Sequence, residues 1–170
     1  ALTYNRLFCY RRFTIFDEAG EAIIQMMATF VLMDRDSRKV RAVDPEIVAP
    51  YQSDFSKKLL RGPKYPDLEN PVSKDYHVRF YDLDMNGHVN NSKYLDWIFE
   101  VMGADFLTKH IPKKVHLKYV KEVRPGGMIA SSYDLEGLQS NHQISSDGEV
   151  NAQALVTWQE FKHENEEEQK

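Results

Sequence analysis

From Asn91 to about Lys109 the apolar side chains recur at helical spacing, whereas almost every other patterned segment alternates as strands do. At 100° per residue Tyr94, Leu95, Ile98, Val101, Met102 and Phe106 fall within an arc of roughly 140°, opposite Lys93, Asp96 and Glu100. Asn90 or Asn91 can cap this helix, and Ile111-Pro112 stops it. A single long helix with one apolar stripe has to be buried against a sheet, so the chain is expected to be α+β.

The strands are read on both sides of the helix. Leu7 to Phe16 is aromatic and β-branched and ends in the turn Asp17-Glu18-Ala19-Gly20. In Ala22 to Met33 the alternate set Ala22, Ile24, Met26, Ala28, Phe30, Leu32 is apolar, yet Ile23, Met26, Met27, Phe30 and Val31 also fit a helical stripe. The short preceding turn and the Ile, Val, Thr and Phe content favour a strand. Asp34-Arg35-Asp36-Ser37 turns the chain again. Residues 45–72 hold five of the seven prolines and read as a linker with one short helix. Strands are then expected at Tyr76 to Tyr81, Val115 to Val123 and Met128 to Leu138, followed by a pair turned at Asp147-Gly148. The last strand sets Val150, Ala152, Ala154, Val156 and Trp158 on one side, and residues 164–170 form a solvated, charge-rich tail.

Several classes drop out on composition. At 170 residues and 42% hydrophobic, the chain can fold about one domain, or one domain and part of another. Its net charge of −4 is the wrong sign for a nucleic-acid binder. The longest uncharged run, Ala22 to Met33, is 12 residues, against the ~20 that a spanning helix needs, so no membrane insertion is expected. Lone Cys9 supports neither an internal disulfide nor a cysteine-rich metal site, and Ala1 to Arg6 lacks a signal-peptide pattern; both suit a cytoplasmic location.

Asp82-Leu83-Asp84-Met85-Asn86-Gly87-His88-Val89-Asn90-Asn91 packs two carboxylates, a histidine and three amides into the approach to the helix. Asp82, Asp84, Asn86 and Gly87 imitate the opening of a calcium loop, but Lys93 stands where a bidentate Glu must close the shell. Capping and turn chemistry would explain Asn90 or Asn91 alone. A helix start also offers N–H donors for an oxyanion, with His88 near enough to exchange protons, so the segment is a candidate catalytic site. His77, His116, His142 and His163 fall in strand-like segments without metal-ligand spacing, and His110 sits at a helix end.

Asp84-Met85-Asn86-Gly87-His88-Val89-Asn90-Asn91, continuing through Lys93-Tyr94-Leu95-Asp96-Trp97, resembles the second hotdog domain of acyl-ACP thioesterases. The resemblance resumes at Leu117-Lys118-Tyr119-Val120-Lys121-Glu122, where that family has a strand ending in a catalytic Glu. Gly87, where plant members usually have Gln, is more similar to the bacterial branch. The resemblance implies a hotdog fold, a long central helix wrapped by an antiparallel β-sheet, preceded by part of another hotdog domain. The corresponding boundaries are 1–60 for the C-terminal part of the first domain, 61–73 for a linker and 74–163 for the second domain.

It further implies hydrolysis of fatty acyl-ACP to free fatty acid and ACP, ending elongation, with no metal or soluble cofactor. Asn86 and His88 would orient thioester and water, Asp84 would fix their positions, and Glu122 would be the base. Helix-start N–H groups are expected to receive the oxyanion. Some members carry a Cys after the Glu; here it is Val123, so no thiol nucleophile stands there. Strict alternation along 115–123 leaves a plainer reading of Glu122 as a solvent-facing residue beside His116 and Lys118, unless a bulge at Pro125-Gly126-Gly127 re-aims it. The expected partner is acyl carrier protein bearing an acyl phosphopantetheine, docked on local basic runs such as Lys57-Lys58-Arg61 or Lys113-Lys114, and a homodimer is compatible. An acyl-CoA thioesterase and a non-catalytic acyl-binding hotdog module are the alternatives.

Overall fold

The computed structural model describes residues 1–37 and 39–161. His163 and the charge-rich tail at 164–170 lie outside the described residues. The chain divides into two compact units, Ala1–Arg61 and a second beginning at Gly62.

The first unit is a five-stranded sheet in the order β4-β3-β2-β1-β5. Its strands are β1 (Thr3–Tyr4), β2 (Phe8–Phe16), β3 (Ala22–Met33), β4 (Val40–Arg41) and β5 (Asp54–Phe55), with a single-turn helix α1 (Pro45–Val48) before β5. Segment 22–33 is thus a strand, paired with β2 in an antiparallel hairpin. Asp17 makes that turn: its carboxylate accepts from the N–H groups of Ala19 and Glu21 at 3.0 and 2.8 Å. The register sets Phe13 opposite Met26 and Ile15 opposite Ile24, so one face carries an apolar row that stays exposed.

The second unit is a five-stranded antiparallel sheet, β6-β8-β9-β10-β7, crossed by helices. Strand β6 (Val72–His77) begins inside the expected linker and stops before Val78, correcting the strand expected at Tyr76 to Tyr81; Phe80–Asp82 is instead a 3-10 turn. The long helix is also corrected. It is α2 (Asn91–Glu100), broken at Gly103 and resumed for one turn as α3 (Ala104–Leu107). Gly103 has φ +82°, a conformation that side chains bearing a Cβ rarely adopt, so the apolar stripe outlasts the helix itself.

Strand β7 (His110–Tyr119) starts earlier than expected and contains Pro112. Proline is tolerated because β7 is an edge strand and because its ladder with β10 shifts register at Thr157/Trp158, opposite Pro112. Strands β8 (Met128–Glu136), β9 (Gln139–Ser146) and β10 (Glu149–Glu160) complete the meander. Tyr94, Trp97, Ile98 and Met102 pack on Ile129, Ile144, Ala152, Ala154, Val156 and Trp158 to form the core. The Ser131 hydroxyl fixes the helix height by donating to the Trp97 carbonyl at 3.0 Å, and Phe99 and Phe106 meet the Trp158 ring edge-on at 5.6 and 5.0 Å.

Candidate active site

The site is built on a closed loop between β6 and α2. Val78 N–H donates to the Gly127 carbonyl at 2.9 Å, anchoring the loop's entry to the residue just before β8. Asp82 follows, only 1% exposed, its carboxylate taking the Arg79 N–H at 2.7 Å and the Arg79 guanidinium at 3.2 Å. Burial alone would raise the Asp82 pKa, but these Arg79 interactions outweigh it and hold the carboxyl below its usual range. That engagement turns Asp82 away from the calcium-like role its spacing imitates. A bridge between Leu83 and Val89, with Asn90 N–H donating to the Asp82 carbonyl at 2.8 Å, closes the loop.

Inside it, residues 84–88 make one tight turn. Asp84 N–H donates to the His88 carbonyl at 2.7 Å and Gly87 N–H to the Asp84 carbonyl at 3.0 Å. The Asp84 carboxylate accepts from Asn86 N–H at 2.8 Å and His88 N–H at 3.1 Å. The His88 N–H, followed by the Asn86 N–H and side chain, keeps Asp84 ionised below the ordinary carboxylate range. Gly87 supplies φ +78°, which closes the turn. Asp84 therefore shapes the loop, Asn86 is presented at its exposed tip, and His88 stands half-buried at its return.

Asn90 is the helix cap, accepting from Ser92 N–H at 3.0 Å. Lys93 N–H donates to the Asn90 carbonyl, so the Asn90, Ser92 and Lys93 donors are all engaged internally. Of the helix-start donors, Ser92 N–H and Lys93 N–H are thus taken up within the cap, and Asn86 stands exposed at the tip of the adjoining loop.

Glu122 arrives from the far end of β7. The strand ends at Tyr119, and Val120 and Lys121 both donate their N–H groups to the Asn151 carbonyl, at 2.8 and 3.1 Å. Val123 N–H then donates to the Tyr94 hydroxyl at 3.3 Å. Alternation along 115–123 is broken at 120–121, earlier than the Pro125-Gly126-Gly127 bulge expected from the sequence. The result brings the Glu122 carboxylate to 3.9 Å from His88 Nδ1. Both side chains are open to solvent, and the separation is long for a direct hydrogen bond, as unliganded acid–base pairs often are. A depression of about 180 Å³, lined by Lys121, Glu122, Arg124, Ser146 and Glu149, adjoins Glu122. A larger one of about 660 Å³, lined by Lys113, Leu138 and Trp158, lies at the other end of β10, away from these residues.

Of the four residues expected from the sequence, the loop joins Asp84, Asn86 and His88, and the β7 exit adds Glu122. Three contributors were not anticipated: Arg79, Tyr94 and Asn151. Burial raises the Tyr94 pKa, with the Glu122 charge adding to it, so the phenol stays neutral as a partner of the Val123 backbone. Asn151 carried one readable signal, a polar residue between Val150 and Ala152, but alternation assigns such a position to solvent. Among the other histidines, His110 Nδ1 lies 2.9 Å from the Phe106 carbonyl at the α3 terminus, and His142 is buried in the core.

Residues 65–160 match the model of the acyl-ACP thioesterase C-terminal domain, and residues 1–51 that of the acyl-ACP thioesterase N-terminal domain. Similar curated proteins include a chloroplastic oleoyl-acyl carrier protein thioesterase 2 of Arabidopsis thaliana, 28% identical over 66% of this chain and 34% of that protein. A chloroplastic palmitoyl-acyl carrier protein thioesterase of Gossypium hirsutum is 26% identical over 82% of this chain and 35% of that protein. The chain thus spans about a third of the length of these relatives. A solved Lactobacillus plantarum protein described as an oleoyl thioesterase superposes with a TM-score of 0.88 at 32% identity, covering 95% of this chain and 66% of that one. The 12:0-ACP thioesterase of Umbellularia californica, at TM-score 0.78 and 22% identity over 92% of this chain and 64% of that one, is alike in fold. The expected hotdog fold is the one present.

Proposed function

Because this chain belongs to the acyl-ACP thioesterase family, we propose that it hydrolyses fatty acyl thioesters carried on acyl carrier protein, releasing the free fatty acid and ACP. The observation that carries this reading is the approach of Glu122 to His88, from two separate elements, at 3.9 Å beside the loop that Asp84 organises. Residues 1–60, whose β2–β3 hairpin carries an exposed apolar row, are read as the C-terminal part of a first hotdog domain.

The chemistry follows from the donor and acceptor types. Glu122 takes a proton from a water molecule as its oxygen attacks the thioester carbonyl carbon, while His88 orients that water. The carbonyl oxygen becomes an oxyanion facing the Asn86 amide, which loop geometry presents at the surface. Collapse breaks the carbon–sulfur bond, the phosphopantetheine thiolate leaves, and the proton held by Glu122 returns to it. Asp84 does not touch the substrate; through the N–H groups of Asn86 and His88 it holds the loop in register.

The test is release of free acid by the whole chain from acyl-ACP and from acyl-CoA over a series of chain lengths, with Asn86→Ala, His88→Ala and Glu122→Gln alongside. Each variant is expected to lose ~10²-fold or more in kcat with an unchanged unfolding midpoint. Turnover within a factor of two of wild type for any one of them removes that residue from the site, and faster release from acyl-CoA overturns the carrier assignment.

A further inference from the structure

The ladder that delivers Glu122 is broken at a single residue of the neighbouring strand. Against β9, Val150 faces Ser145 and Ala152 faces Ile144, leaving Asn151 as the extra residue of a bulge. On its other side the Asn151 carbonyl accepts from two successive N–H groups, Val120 and Lys121. Its side chain is 2% exposed and fully engaged. Nδ2 donates to the Lys121 and Glu122 carbonyls, at 3.4 Å each, and Oδ1 accepts from the Ser146 hydroxyl at 2.8 Å.

Only a primary amide meets this set of demands. An aliphatic residue would leave two carbonyls and a hydroxyl without their partner, and a carboxylate would set its oxygens against carbonyl oxygens. The consequence falls on Glu122. Tyr119 faces the helix, its hydroxyl donating to the Asn91 carbonyl at 3.0 Å and its ring meeting Tyr94 at 5.1 Å. Unbroken alternation from Tyr119 would send Glu122 to the opposite face, with His116 and Lys118. The two-on-one contact at Asn151 interrupts the ladder just before Glu122, whose carboxylate lies 3.9 Å from His88 Nδ1 while Val123 stays in the core.

We infer that Asn151 is a positioning residue for Glu122, a backbone clamp that switches the carboxylate onto the His88 side of the sheet. The inference rests on the reading of Glu122 as the base. The experiment compares kcat and KM of the whole chain on oleoyl-ACP and palmitoyl-ACP for Asn151→Ala, Ser146→Ala, Glu122→Gln and each of the first two combined with Glu122→Gln. Misplacing a base by about 1 Å costs about 100-fold, so Asn151→Ala is expected to lower kcat by about 10- to 100-fold with KM changed by less than about threefold. Ser146→Ala, which only frees the amide to rotate, is expected to lose several-fold. In the Glu122→Gln background neither change lowers kcat further, because the group they position is already gone.

Losses that multiply in the double variants would mean that Asn151 acts on the fold, and wild-type kcat in Asn151→Ala beside a collapsed Glu122→Gln would overturn the clamp alone. Wild-type kcat in Glu122→Gln would overturn the base assignment and the clamp with it. Should Asn151→Ala fail to fold, the Ser146→Ala pair decides by the same comparison.

Discussion

Acid should unfold the second unit through one histidine that takes no part in the proposed chemistry. His142 is 3% exposed on the helix-facing side of β9, stacked on Tyr133 at 5.8 Å. Trp158 donates its indole N–H to the Ser140 hydroxyl at 2.7 Å, and that hydroxyl lies 2.7 Å from His142 Nε2. The arrangement that satisfies all three groups has Ser140 donating to Nε2, which puts the ring proton on Nδ1, a buried atom with no hydrogen-bond partner among the described residues. Burial pushes the His142 pKa down from 6.5 to about 4.

The native imidazole therefore stays neutral where the unfolded one is charged, so stability is full above pH 6.5 and falls as the pH drops toward 4. At about 1.4 kcal/mol per pKa unit the loss is roughly 2 kcal/mol by pH 5 and about 3 kcal/mol near pH 4. Asp82 and Asp84, held below the usual carboxylate range, lose their contributions only at lower pH. Both tryptophans, Trp97 and Trp158, lie in the second unit, so urea unfolding followed by their fluorescence reports that unit. His142→Leu is expected to sit within about 1 kcal/mol of wild type at pH 8, since it removes an orphan donor along with a hydrogen bond, and to lose the slope between pH 6.5 and 4. Parallel curves for wild type and variant across that window would refute the assignment.

Two other outcomes follow from the geometry. Gly87→Ala meets nothing within 4 Å of the added Cβ but must hold φ +78°, so it should destabilise by about 1–2 kcal/mol through backbone strain alone and lower turnover by distorting the turn before His88; an unchanged urea midpoint would contradict this. Lys113 and Lys114 are exposed on the edge strand β7, as are Lys57, Lys58 and Arg61 in the first unit, on a chain of net charge −4. The KM for acyl-ACP, measured from about 50 to about 300 mM salt, is therefore expected to rise as the Debye length shortens to roughly 6 Å, and a salt-independent KM would speak against docking on these runs.

What the sequence revealed and what it hid divide along the range of the interactions involved. The 22–33 strand, the 17–20 turn and the cap are fixed within a few residues of themselves: residue type and the short turn decide the strand where periodicity leaves it open, and narrow the cap to Asn90 or Asn91. Spacing overextends the helix because the stripe through Met102 and Phe106 persists beyond Gly103: apolar spacing records which side chains face the sheet, whereas one positive φ decides where the hydrogen-bond ladder stops. Pro112 reads as a terminator in the sequence because edge position, which makes a proline harmless in a strand, is a property of the sheet. Glu122 shows the limit most clearly. Its own segment alternates cleanly and places it on the wrong face, because the residue that breaks the alternation belongs to a strand formed by residues 149–160. Asn151 looks like any outward polar position until the pairing of β7, β9 and β10 sets it against two carbonyls and a serine. A local motif can supply the histidine and its loop, but the carboxylate that meets it is aimed by register, which exists only once three strands have come together.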